Sequence, residues 1–146
     1  MTRIVYVLNG SNLNMLGRRE PEIYGRTTLP EVQARMETLA AELDVRLVFR
    51  QTNHEGVMVD WIQEAFDKDA AVIINPAGFS FHCVPVMDAL KLIRTPLVEV
   101  HITNIHRRGE PYQHSYVSQV ATGVICGLGV GGYLLALRAV SEALAA

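Results

Sequence analysis

Short apolar, β-branched runs alternate along this chain with longer stretches of helical periodicity, and that alternation constrains the fold more than any other feature. The runs at Arg3–Asn9, Val45–Gln51, 70–75, 96–101 and 123–127 have the length and near-continuous apolar character of strands buried on both faces. The segments Leu29–Leu43, 57–67, 83–92 and 132–144 read instead as helices. In the first of these, Leu29, Val32, Met36, Leu39 and Leu43 share one face, while Glu31, Arg35 and Glu42 fall elsewhere around the wheel. Right-handed crossovers between such strands predict an α/β three-layer sandwich with a five-stranded parallel sheet in the flavodoxin-like order 2-1-3-4-5.

A chain of 146 residues with 49% hydrophobic content suffices for one well-packed core, so residues 1–146 are expected to form a single domain. The formal net charge of -2 and the scatter of basic residues give no footprint for nucleic acid, which favours a small-molecule partner. Cys83 and Cys126 lack zinc-ligand spacing and sit in apolar stretches, so both are expected to be buried core thiols. The run from 120 to 137 is apolar but divided by glycines into a strand and a helix, which argues against a membrane span. The strand-like start at Arg3 carries no signal-peptide pattern, and a cytoplasmic protein is the expectation.

Three long connections, 10–28, 76–82 and 102–122, follow the carboxyl ends of proposed strands, where ligands bind in open α/β sheets. The first carries Arg18, Arg19 and Tyr24, and connections of this length often act as lids. A phenol is a poor base at neutral pH unless a neighbouring cation stabilises its anion. Arginines beside a tyrosine also make ordinary stacking contacts on solvated faces, so residue identity alone leaves both readings open. Glu99 and His101 end the fourth strand two residues apart, hence on one face, where the carboxylate can orient the imidazole as a general acid or simply form a structural ion pair. Asn9, Asn12, Asn14 and Asn75 are placed where asparagine more commonly forms turns, with oxyanion contacts as the alternative. His54, His82, His106 and His114 show no metal-ligand spacing, and no metal is expected. The glycine stretch 127–132 lacks the lysine and fingerprint of a nucleotide loop and reads as a tight helix entry; nothing else supports a flavin.

Taken together and in order, these segments resemble the type II 3-dehydroquinate dehydratases over nearly the whole chain. The resemblance rests on Leu8-Asn9-Gly10-Ser11-Asn12-Leu13-Asn14-Met15-Leu16-Gly17, Arg19-Glu20-Pro21, Tyr24-Gly25 and Asn53-His54-Glu55-Gly56. It continues through Val98-Glu99-Val100-His101, His114-Ser115-Tyr116, and the stretch from Gly123 to Gly129 with Gly132-Tyr133 after it. It implies reversible loss of water from 3-dehydroquinate without metal or organic cofactor, in a homo-oligomer of trimers grouped into a dodecamer. Residue by residue, it implies that Tyr24 is the base, Arg19 its activator, His101 the general acid with Glu99 behind it, and Asn12 the enolate-stabilising group. It further implies that Asn75 with the Ile102-Thr103 segment binds the carboxylate, and that Asp88 reaches a neighbouring subunit's site.

Two departures fall in the substrate-binding part. The family usually has histidine where this chain has Phe81, with His82 displaced by one position, a shift of roughly 100° on a helix. It commonly has arginine where this chain has Tyr112. Those family residues hold ring hydroxyls remote from the eliminated group. Arg108, Phe81, Tyr112 and His82 are all carried as substrate-binding candidates. Each lost hydrogen bond is expected to cost about 1 to 3 kcal/mol. The expectation is therefore a dehydroquinase of reduced activity or a paralogue acting on a related cyclic hydroxy-keto acid with fewer polar substituents. A non-catalytic binding protein on the same fold is the rival from another class.

Overall fold

The computed structural model describes residues 3–146. Five parallel strands, β1 (Arg3–Asn9), β2 (Val45–Gln51), β3 (Ala71–Asn75), β4 (Leu97–His101) and β5 (Gly123–Cys126), form one sheet in the order β2-β1-β3-β4-β5. The predicted order is the observed one. The helices are α1 (Pro21–Tyr24), α2 (Leu29–Leu43), α3 (Glu55–Asp67), α4 (Val84–Leu90) and α5 (Gly131–Ala145). Boundaries move by a few residues from the periodicity: α3 starts at Glu55 directly after His54, and α4 is shorter than the apolar pattern around it.

Alternation along the strands sends side chains to two cores. Val5, Val7, Ile73, Val98 and Val100 pack with α2 and α5, while Tyr6, Leu8, Val72, Ile74 and Leu97 pack with α3 and α4. Ile73 and Ile74 are both fully buried, which explains why the strands read as continuous apolar runs. Each such side chain contributes about 1.5 to 3 kcal/mol of burial free energy. Helix α2 is N-capped by Thr28: its hydroxyl oxygen accepts from the Glu31 backbone N–H, and the same hydroxyl donates to the Glu31 carboxylate at 3.1 Å. Cys83 is buried as expected, but Cys126 is only half-buried because β5 is an edge strand, so the expectation of two buried thiols is corrected.

The sheet reverses its winding direction between β1 and β3, and the loops after these strands touch there. The Gly10 N–H donates to the Asn75 carbonyl at 2.8 Å, and a Cβ at Gly10 would lie 2.3 Å from the Pro76 carbonyl oxygen. Only glycine fits that approach. It brings the connections after β1 and β3 against one cavity.

Candidate active site

Period two along β4 places Leu97, Glu99 and His101 on the α3/α4 face, as the spacing predicted. Glu99 is fully buried and His101 is 5% exposed. A bare carboxylate in that position would be very costly, so its partners matter. His101 Nε2 hydrogen-bonds to Glu99 Oε2, the Ser115 hydroxyl donates to the same oxygen at 2.6 Å, and the Ser118 hydroxyl donates to Oε1. Burial pulls the Glu99 carboxyl up, but the bond to and charge of His101, with the two serine hydroxyls, outweigh it and hold the group below the ordinary 4.5. Glu99 is thus an anion whose lone pairs point at His101 and two serines. With Nε2 committed to Glu99, Nδ1 is the ring nitrogen left to meet a ligand.

The opposite side is built from the connection after β1. This long connection holds a 3-10 turn at Leu13–Met15 and the four-residue α1, both stabilised by local backbone bonds. Pro21 at the first helical position suits the fixed proline φ, and Gly25 at φ 83 ends the turn. Asn12 adopts φ 68, a left-handed conformation asparagine tolerates, and its backbone N–H donates to Asn53 Oδ1 at 2.9 Å. Tyr24 is half-buried between two guanidiniums: Arg19 Cζ lies 5.2 Å and Arg108 Cζ 5.8 Å from its ring centroid. Two positive charges therefore stand beside one phenol.

Both sides open on a cavity of about 240 Å³, of a size for a small molecule. It collects Asn12, Arg19, Tyr24, Asn75 and His101, together with Ile102 and Thr103 from the residues just beyond the last β4–β5 pair, His101 with Cys126. Phe81, Arg108 and Tyr112 complete the wall. Asn75 is 3% exposed; its Nδ2 donates to the Tyr133 hydroxyl at 2.8 Å and its Oδ1 accepts from the Ala77 N–H at 3.2 Å, which fixes the amide plane. The Tyr133 hydroxyl in turn donates to Asn9 Oδ1 at 2.7 Å, so Asn9 supports the site from behind.

A family model described as Dehydroquinase class II matches residues 3–141. This chain belongs to the class II dehydroquinase family. It is 53% identical over 141 residues to a 3-dehydroquinate dehydratase of Brucella canis, covering 97% of this chain and 90% of the relative. Among solved structures, the type II dehydroquinase of Propionibacterium acnes superposes with a TM-score of 0.94 at 45% identity, covering 97% of this chain and 98% of that one. A 3-dehydroquinate dehydratase-like protein of Bifidobacterium longum is more distant, with a TM-score of 0.76 at 32% identity over the full length of both chains.

Within this class II dehydroquinase chain, two predicted binding residues lie away from the cavity. His82, carried as a substrate-binding candidate, lies outside the cavity lining: the 3-10 turn Ala77–Phe81 ends before it, and its Nε2 sits 3.6 Å from Glu55 at 71% exposure. Asp88, on the exposed surface of α4, pairs with Lys91 at 3.3 Å and does not reach this subunit's cavity. Sequence reasoning missed Ser11, Leu16 and Ile105 in the lining, and it gave no role to Ser115, Ser118 or Tyr133. The one available signal for the serines was indirect: a buried carboxylate requires more donors than one imidazole supplies.

Proposed function

We propose that this hydro-lyase removes water from 3-dehydroquinate by a stepwise elimination in which Tyr24 is the base and His101 the acid. The arrangement that carries the reading is an imidazole backed by a buried, ionised carboxylate across one cavity from a phenol flanked by two guanidiniums. Tyr24, as the phenolate, takes the proton on the ring carbon between the ketone and the carbon bearing the leaving hydroxyl. The C–H electron pair moves into the carbonyl, and the resulting enolate oxygen is received by Asn12. The enolate then collapses, the C–O bond breaks, and the His101 proton leaves with the hydroxyl as water. The products are 3-dehydroshikimate, a neutral imidazole and a phenol, and solvent exchange of one proton restores the starting state. Asn75 and the N–H groups of Ile102 and Thr103 anchor the substrate carboxylate. Glu99 keeps the imidazole oriented throughout.

In this reading Asp88, exposed and outside its own cavity, serves the site of a neighbouring subunit, and the working form is a homo-oligomer of trimers grouped into a dodecamer. The reaction belongs in the cytoplasm. Among the described residues no helix is long and apolar enough to cross a membrane. The enone product absorbs in the ultraviolet, which the substrate does not, so the reaction is followed directly. Wild-type protein is expected to generate the absorbance from 3-dehydroquinate and Tyr24→Phe to generate none above background. Full activity in Tyr24→Phe would remove the base from this scheme, and an inert wild type would remove the scheme.

A further inference from the structure

The two guanidiniums beside Tyr24 are not equivalent. Arg19 Nε lies 3.5 Å from Glu20 Oε1, so a carboxylate on the same segment offsets part of its field. Among the described residues no carboxylate pairs with Arg108. Its Cζ lies 5.8 Å from the Tyr24 centroid and 4.0 Å from the Tyr112 centroid, so one cation is shared by two phenol rings. The uncompensated charge next to the base is therefore that of Arg108.

The chain is folded to put an aromatic ring against that guanidinium. The Arg108 N–H donates to the Ile105 carbonyl at 3.2 Å, which closes the 3-10 turn Ile105–Arg107, and the Tyr112 N–H donates to the Gly109 carbonyl at 3.0 Å. The second bond turns the segment back on itself, so that Tyr112, four positions on, reaches the Arg108 side chain. Phe81, from the 3-10 turn after β3, meets the Tyr112 ring edge-to-face at 5.5 Å. The two departures from the family pattern, Phe81 and Tyr112, thus pack on each other. A stacked and braced guanidinium keeps few of the rotamers open to a free arginine side chain.

We propose that Tyr112 is a positioning residue for the elimination: stacked on Arg108 and braced by Phe81, it holds the Arg108 guanidinium beside the Tyr24 phenolate. This proposal rests on Tyr24 acting as the base and adds the residue that fixes its second cation. The ring of Tyr112, rather than its hydroxyl, is the working part, and its effect falls on turnover.

The test is kcat and KM on 3-dehydroquinate for Tyr112→Leu, Tyr112→Phe, Arg108→Ala and the variant combining Arg108→Ala with Tyr112→Leu, each followed by enone absorbance. Tyr112→Leu is expected to lower kcat by roughly threefold to thirtyfold, the kinetic equivalent of one cation–π contact, with KM little changed. Tyr112→Phe keeps the ring and is expected to recover most of that loss. With Arg108→Ala already present, Tyr112→Leu is expected to lower kcat no further, as for a residue that acts only through its neighbour. The proposal is overturned if Tyr112→Leu leaves kcat intact, or if the loss is as large without Arg108 as with it. It is equally overturned if Tyr112→Phe loses as much as Tyr112→Leu, which would make the hydroxyl the group that matters. Should Arg108→Ala leave no measurable rate, the leucine and phenylalanine variants decide alone. An inert wild type removes the elimination scheme, whereas an active wild type with inert Tyr24→Phe and undiminished Tyr112→Leu removes this proposal only.

Discussion

His101 stands at the end of a central strand with a fully buried carboxylate behind it, whereas Tyr24 rides on a four-residue helix inside a long connection and is held by stacking with two arginines. The acid is built into the core, and its geometry is guaranteed by the same contacts that keep the sheet folded. The base is carried by α1, whose own hydrogen bonds are local, so although the connection around it is anchored through Leu13, Leu16 and the Asn12–Asn53 bond, the phenol's position depends on fewer bonds to the rest of the fold. Damage on the acid side must therefore reach stability and turnover together, and damage on the base side should reach turnover alone.

The sharpest break of that contrast comes from removing one oxygen. Tyr24→Phe keeps the ring and its stacking, so kcat is expected to fall by about a hundredfold to ten-thousandfold, the range for losing a general base. The unfolding free energy is expected to change by less than about 0.5 kcal/mol, as for surface substitutions. Steady-state kinetics with chemical denaturation checks both. A large stability loss would mean that the Tyr24 hydroxyl itself holds α1 against the fold.

Glu99→Ala makes the opposite demand. Breaking a buried pair by removing one partner typically costs about 3 to 5 kcal/mol, and two serine hydroxyls lose their acceptor as well. Unfolding midpoints and kcat are expected to drop together. If kcat falls while the midpoint holds, the acid side is no more built into the fold than the base side.

These two sides were also unequally legible in the sequence. The β4 strand reads clearly because both its faces are buried, and strict period two places Glu99 and His101 together without any knowledge of the fold. The first connection reads as a functional segment, but α1 escapes detection because four residues carry too little periodicity for a helical pattern. The serines that complete the carboxylate's shell lie 16 and 19 residues beyond it, a separation no local pattern encodes. His82 shows the converse: its place one position beyond Phe81 suggested a binding role, and the end of a short 3-10 turn, which no sequence pattern marks, sets it beside Glu55 outside the cavity lining.

Acid titration probes the core-built side more gently. The Glu99 carboxyl is held below 4.5 in the folded protein, so the unfolded chain binds the extra proton first as pH falls. Its contribution to stability is complete above about pH 4.5 and is lost as pH drops through the lower folded value. Melting temperatures measured from pH 7 to pH 3 are expected to fall less steeply for Glu99→Gln than for the wild type. Parallel curves would show that the carboxylate is not the group being titrated.

The smallest effect is expected at Ser118, and it isolates the serine donors from the ion pair. Ser118 donates to Oε1, while His101 and Ser115 share Oε2, so Ser118→Ala strips one oxygen without touching the contact that orients the ring. A lost hydrogen bond to a charged group costs about 1.5 to 3 kcal/mol at full burial, and the exposed position of Ser118 lets water replace it in part, which lowers the expected loss to about 1 kcal/mol. Because Ser118 reaches the substrate only through Glu99 and His101, its removal is expected to lower kcat severalfold and leave KM unchanged. Ser118→Thr, which keeps the hydroxyl, should restore kcat. A rise in KM with constant kcat would mean instead that Ser118 supports the Arg108 and Tyr112 wall rather than the acid, moving the residue from one side of the comparison to the other.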